Sequence, residues 1–93
     1  MHNEAEVIFS GNVQGVNFRS YAKKKADQLG VYGIIENLEN GNVHAILQGE
    51  KENIVNLINY LMHEHPYATV ETVDIKWVPE ESKDIVREFR IIK

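Results

Sequence analysis

Nine consecutive residues, Gly11-Asn12-Val13-Gln14-Gly15-Val16-Asn17-Phe18-Arg19, combine what an anion site needs: a backbone free to curl and a permanent positive charge. Glycines at 11 and 15 open conformations closed to other residues. The segment runs into the first turn of a helix, where unpaired N–H groups and the helix dipole attract negative charge, so a phosphate would fit among its amides. Arg19 in that turn breaks a local rule, because the dipole favours acids at this end and cations at the other. Either Arg19 is there to meet a ligand, or its head turns to solvent or to a carboxylate. Spacing alone leaves both readings open.

Lys23, Lys24 and Lys25 follow, so residues 11 to 26 carry four positive charges and no acid in a chain whose net charge is −4. The lysine run reads as a solvated helix face, and the acidic balance argues against a protein that wraps the phosphate backbone of nucleic acid. The chain has no cysteine, which excludes a disulfide framework, a thiolate metal site and a cysteine nucleophile. His63 and His65 are separated by one residue. That spacing is poor on a helix and a metal wants three or four ligands, so no metal is expected.

The elements that must position these residues are legible as periodicities. Ala5, Val7 and Phe9 alternate with polar neighbours as a strand ending near Ser10, and Gly11 to Gly15 reads as a loop. Phe18, Ala22, Ala26 and Leu29 recur at helical spacing up to Gly30, a natural stop. Residues 31–38 and 42–48 read as strands joined through Glu39-Asn40-Gly41, where Asn-Gly supplies the positive φ angles of a tight hairpin. Ile54, Leu57, Ile58, Leu61 and Met62 form the apolar stripe of a second helix, closed off by Pro66. Val73, Ile75 and Trp77 alternate as a strand, Glu80 to Asp84 form a polar loop, and 85–92 is a last strand-like run.

Ninety-three residues, 43% hydrophobic and 26% charged, suit one globular domain spanning 1–93 and leave no room for a second. The order predicts an α+β fold, a ferredoxin-like βαββαβ sandwich with a trailing C-terminal strand and two helices on one face of an antiparallel sheet. In that topology the first two strands run the same way with the third between them. Their C-terminal ends then lie about 10 Å apart, two strand spacings, close enough for an arginine and an asparagine to reach one small anion.

The run G-x-V-Q-G-V-x-F-R resembles the signature of acylphosphatases, and the likeness covers nearly the whole chain. It continues through L-G-V-Y-G at Leu29 to Gly33, Asn37 before the Asn40-Gly41 turn, P-Y-A-T-V at Pro66 to Val70 and F-R-I-I at Phe89 to Ile92. The resemblance implies hydrolysis of small acyl phosphates to carboxylate and inorganic phosphate, with phosphate also an inhibitor and with neither metal nor organic cofactor. It assigns catalysis to Arg19 and Asn37. Phosphate binding falls to Gly15, Val16, Asn17, Phe18 and Arg19, the first four through their backbone amides. Asn37 matches the asparagine that orients the attacking water, which an amide can do because it both donates and accepts a hydrogen bond.

Two positions depart from the family pattern. Asn17 occupies a variable position, where its side chain is expected to cap the helix rather than touch ligand. Glu36 puts a negative charge beside Asn37, although strand alternation aims it at the opposite face. Other readings of the fold are an RNA-binding module, disfavoured because the third strand, N-V-H-A-I-L-Q, lacks stacking aromatics, and a catalytically weak anion-binding or interaction domain. The N-terminus shows no secretory pattern and no apolar run is long enough to span a bilayer, so the expectation is a cytoplasmic monomer without nucleic-acid or membrane partners.

Overall fold

The computed structural model describes residues 3–15, 17–65, 68–79 and 87–92. Alternating burial along β1 (Asn3–Asn12) sends Ala5, Val7 and Phe9 to one face, where no side chain is exposed. The same two-residue period places Ile35 of β2 (Tyr32–Asn37) and Val43, Ala45 and Leu47 of β3 (Val43–Gly49) on that face. Two helices cover it. α1 (Phe18–Leu29) contributes Phe18, Ala22 and Ala26, and α2 (Lys51–His63) contributes Ile54, Leu57, Ile58 and Leu61. The two alanines leave little bulk between α1 and the sheet, and Phe18 meets Phe9 edge-on with ring centroids 5.2 Å apart. Met62 is 36% exposed, so the apolar stripe of α2 stops at Leu61.

The sheet is completed by β4 (Thr69–Val78) and β5 (Phe89–Ile92), in the order β4-β1-β3-β2-β5. β1, β3 and β4 pair antiparallel, as do β2 and β3, whereas β5 lies parallel to β2. The sheet is therefore mixed, with its antiparallel character confined to the first four strands. β1 and β2 run the same way on either side of β3, which brings their C-terminal ends to one edge.

β1 runs two residues past Ser10 because a bulge between Ser10 and Gly11 shifts its register against β4 and carries the pairing on to Asn12 and Thr69. Gly11 has φ +129°, and a Cβ there would run into the carbonyl oxygen of Thr69. The hairpin also differs from the expected turn. Only Gly41 has positive φ, the Gly41 N–H donates to the Leu38 carbonyl at 3.2 Å and the Leu38 N–H to the Asn42 carbonyl at 2.8 Å. This is a three-residue loop ending in a left-handed glycine, so Asn40 keeps an ordinary conformation and its side chain accepts from the Asn42 N–H at 3.0 Å.

On the open face of the sheet His44 lies between two carboxylates, with Nε2 2.9 Å from Glu6 and Nδ1 3.0 Å from Glu36. Glu36 thus points away from the helices, as strand alternation requires. Among the described residues no helix is long and apolar enough to cross a membrane. Pro66, Tyr67 and the polar stretch 80–84 lie outside the described residues, as do 85 and 86 of the last strand-like run.

Candidate active site

Where β1 and β2 end together, a cavity of about 200 Å³ opens, walled by Gly15, Asn17, Phe18 and Arg19 from the loop and helix start, by Asn37 from the last position of β2, and by Ile91 from β5. The topology thus brings Arg19 and Asn37 to one cavity from positions eighteen residues apart in the chain. Val16 lies outside the described residues. Gly15 has φ +76° and open space beside its α-carbon, so its glycine is required by backbone conformation rather than by crowding.

Asn17 departs from expectation. It stands at the N-cap of α1 with φ 62° and ψ 26°, and its side chain makes no capping hydrogen bond. A capping side chain reaches back to the helix amides from an extended N-cap residue; in the left-handed region it is aimed elsewhere. Asparagine suits the position because it tolerates that conformation better than most residues, and Asn17 is the only non-glycine with positive φ among the described residues. The first turn of α1 contains no acid, which leaves its amide dipoles uncompensated at the cavity.

Arg19 is half-buried, and its Nη1 donates to the carbonyl oxygen of Ile92 at 3.2 Å. A backbone carbonyl, and no carboxylate, therefore receives the guanidinium, which keeps its charge for an anion in the cavity. One turn later Lys23 does more than solvate its face. It donates to the Phe89 carbonyl at 2.9 Å and lies 3.4 Å from Asp27, so two cations of α1 hold the backbone of β5. Asn37 has a buried Oδ1 with no hydrogen-bond partner among the described residues. Such an acceptor costs about 1–3 kcal/mol and is an unfilled valence at the cavity wall.

Gln14 was not singled out by sequence reasoning, and it joins the two halves of the site. Its Nε2 donates to the carbonyls of Leu38 and Asn42, both at 2.8 Å, fastening the loop to the hairpin that carries Asn37. Both partners are distant in the chain, so no local pattern could have revealed them. Gln14→Leu strands both carbonyls and is expected to cost about 1–3 kcal/mol, a fall in Tm on the order of 5–15 °C for a domain of this size. A calorimetric scan showing an unchanged Tm would remove Gln14 from this role.

His65, considered above only as a metal ligand, is 8% exposed and packs beside the loop. Among the described residues no group of three or more His, Cys, Asp or Glu side chains could hold a metal ion. Burial lowers the His65 pKa from 6.5, opposed by a hydrogen bond with the Asn17 backbone. The fold therefore binds the neutral ring. The stability this provides is complete above the unfolded value near 6.5 and is lost as pH falls through the lowered folded value. The Tm difference between the unaltered protein and His65→Gln should accordingly narrow as thermal scans move from about pH 7.5 to about pH 5; a constant difference would show that the ring does not titrate with unfolding.

The acylphosphatase family model matches residues 5–91. The acylphosphatase of Thermoplasma volcanium is 49% identical over 69 residues, covering 74% of this chain and 77% of the relative. That of Roseiflexus sp. strain RS-1 is 41% identical over 73 residues, covering 78% of each. The structure of an acylphosphatase from Coxiella burnetii superposes with a TM-score of 0.88 at 32% identity, over 98% of this chain and 93% of that one. A model match over nearly the whole length, with relatives above 30% identity across most of theirs, establishes that the chain belongs to the acylphosphatase family.

Proposed function

We propose that Arg19 and the backbone amides of Gly15, Val16, Asn17 and Phe18 hold the phosphoryl group of an acyl phosphate while Asn37 orients the water that attacks it. The observation that carries this reading is the Asn37 Oδ1, a buried acceptor with no partner among the described residues, at the wall of the cavity that Arg19 also borders. As an acylphosphatase the chain hydrolyses the carboxyl-phosphate bond of acyl phosphates to carboxylate and inorganic phosphate.

In the proposed reaction the water oxygen bonds to phosphorus as the bond from phosphorus to the acyl oxygen breaks. The carboxylate departs with the bonding pair, and the water proton passes to a phosphoryl oxygen of the substrate. Asn37 can donate to and accept from the water but cannot remove its proton. A carboxylate is a good leaving group and the transition state is loose, so positioning and charge stabilisation suffice. The guanidinium engages two phosphoryl oxygens side by side and the amides take the rest. This arrangement asks for no metal. The reading also makes the chain a cytoplasmic monomer without nucleic-acid or membrane partners, open to sedimentation and cell fractionation.

The test combines turnover of an aryl acyl phosphate, with and without chelator, and amide NMR shifts on adding inorganic phosphate. Turnover should be indifferent to chelator, phosphate should inhibit competitively, and amides 15 to 19 should move on saturation. Unmoved amides would overturn the site assignment, and loss of turnover with chelator would overturn the metal-free mechanism.

A further inference from the structure

The ring of His65 sits between two side chains of α1, stacked 26° from coplanar on Phe18 at 5.5 Å and tilted on Tyr21 at 4.4 Å, centroid to centroid. Its Nδ1 accepts a hydrogen bond from the Ala68 N–H at 3.0 Å. That nitrogen therefore carries no proton, which puts the proton of the neutral ring on Nε2. The ring also shares a hydrogen bond with the Asn17 backbone, which assigns the Nε2 proton to the Asn17 carbonyl. The same carbonyl takes the Tyr21 N–H, the first bond of the helix, at 3.0 Å. Its two lone pairs are thus both used.

Asn17 is the left-handed residue through which the loop turns into α1. A non-glycine residue in that region costs of order 1–3 kcal/mol and persists only where its surroundings over-determine it. On one side the surroundings are the helix itself. On the other they are His65, fixed by Ala68 and by the two aromatic rings.

We infer that His65 is a positioning residue for the phosphate site: the neutral ring, anchored on Ala68 and wedged between Phe18 and Tyr21, holds the Asn17 peptide in the left-handed turn that aims the loop amides into the cavity. The inference rests on the reading that those amides take the phosphoryl group. Without His65 the loop spends part of its time in other backbone conformations, and anion affinity falls by the fraction of time lost. Once phosphate is bound, Arg19 and Asn37 act as before. The loss therefore falls on KM and on the inhibition constant of phosphate, and kcat is spared.

Two variants separate this from simple packing. His65→Leu keeps the apolar bulk and removes both hydrogen bonds, whereas His65→Gln offers an acceptor and a donor on one amide. With an aryl acyl phosphate at neutral pH, His65→Leu should raise KM and the phosphate inhibition constant together by about tenfold, the effect of losing one ordering hydrogen bond, with kcat changed by no more than about threefold. His65→Gln should recover most of the affinity. A His65→Leu enzyme with a lowered Tm but unaltered KM and inhibition constant would overturn the inference, as would a loss confined to kcat.

Should His65→Leu fail to fold, the unaltered enzyme supplies the decision. Ring ¹⁵N shifts should report the Nε2–H tautomer, and the amides of Gly15, Asn17 and Phe18 should titrate with the midpoint of the His65 ring. Tyr21 is the titratable group in contact with the ring. His63 and Glu64 precede it at the end of α2, Lys24 and Lys25 line the groove with Tyr21, and Glu71 lies on β4. Each can be told apart by its own midpoint. Loop amides indifferent to the ring would sink the inference. If the unaltered enzyme is not inhibited by phosphate, the assignment of the loop fails. If it is inhibited and His65→Leu is inhibited equally, only the role of His65 fails.

Discussion

Arg19→Ala is expected to lower kcat/KM about a hundredfold or more while leaving the protein folded. Charge-assisted hydrogen bonds are worth about 1.5–3 kcal/mol each, and a planar guanidinium makes two to one phosphoryl group. Losing both removes two or more powers of ten at about 1.4 kcal/mol each. On the folding side little is lost. The contact made by Arg19 in the free protein is one exposed hydrogen bond to the Ile92 carbonyl, and surface changes of that kind cost about 0.5–1.5 kcal/mol. Arg19→Lys separates charge from geometry, because lysine keeps the charge and loses the fork that meets two oxygens at once. It should recover less than about a tenth of the activity. Full activity in Arg19→Lys would be fatal to the proposed role, and so would a Tm collapse in Arg19→Ala that accounts for its inactivity.

Asn37→Ala is expected to show the opposite signature to the His65 variants. Removing a group that acts on the attacking water costs transition-state stabilisation and little ground-state binding. kcat should fall about a hundredfold, the usual loss on deleting one such polar group, while the phosphate inhibition constant changes less than about twofold. Stability offers an independent check. The Oδ1 of Asn37 has no partner among the described residues, so deleting it strands nothing on that side and removes an unsatisfied buried acceptor. Tm should hold or rise slightly. Near-normal kcat in Asn37→Ala would take this residue out of the mechanism.

What sequence could and could not reveal follows from the range of the interactions involved. Ala5, Val7 and Phe9, the Ile54 to Leu61 stripe and the stop at Gly30 were legible because each depends on neighbours one to four residues away. Arg19 stood out for the same reason, as a cation at the wrong end of a helix. Met62 misled because the stripe shows which residues recur, whereas burial depends on how α2 sits on the sheet. The Gly11 bulge is set by Thr69 and the double hydrogen bond of Gln14 by Leu38 and Asn42, none of them local. Asn17 looked like a cap because asparagine favours both caps and left-handed turns; only φ tells them apart. The parallel pairing of β5 with β2 was likewise invisible, since a strand-like run does not announce its neighbour.

β1 is an interior strand, with β3 on one side and β4 on the other. The residues that bind and cut are complete by position 37, yet the register that places the loop is settled by the Gly11 bulge against residues 69 and 70. A nascent chain leaving the ribosome therefore exposes Arg19 and Asn37 well before the strand that frames them has been made. Closing so long a stretch costs entropy before its contacts repay it, and non-local strand pairing is slow. Substrate cannot act as an early template for folding. The enzyme becomes competent late and in one step, when β4 docks along β1, and a chain released short of β4 carries both catalytic side chains and no catalytic site.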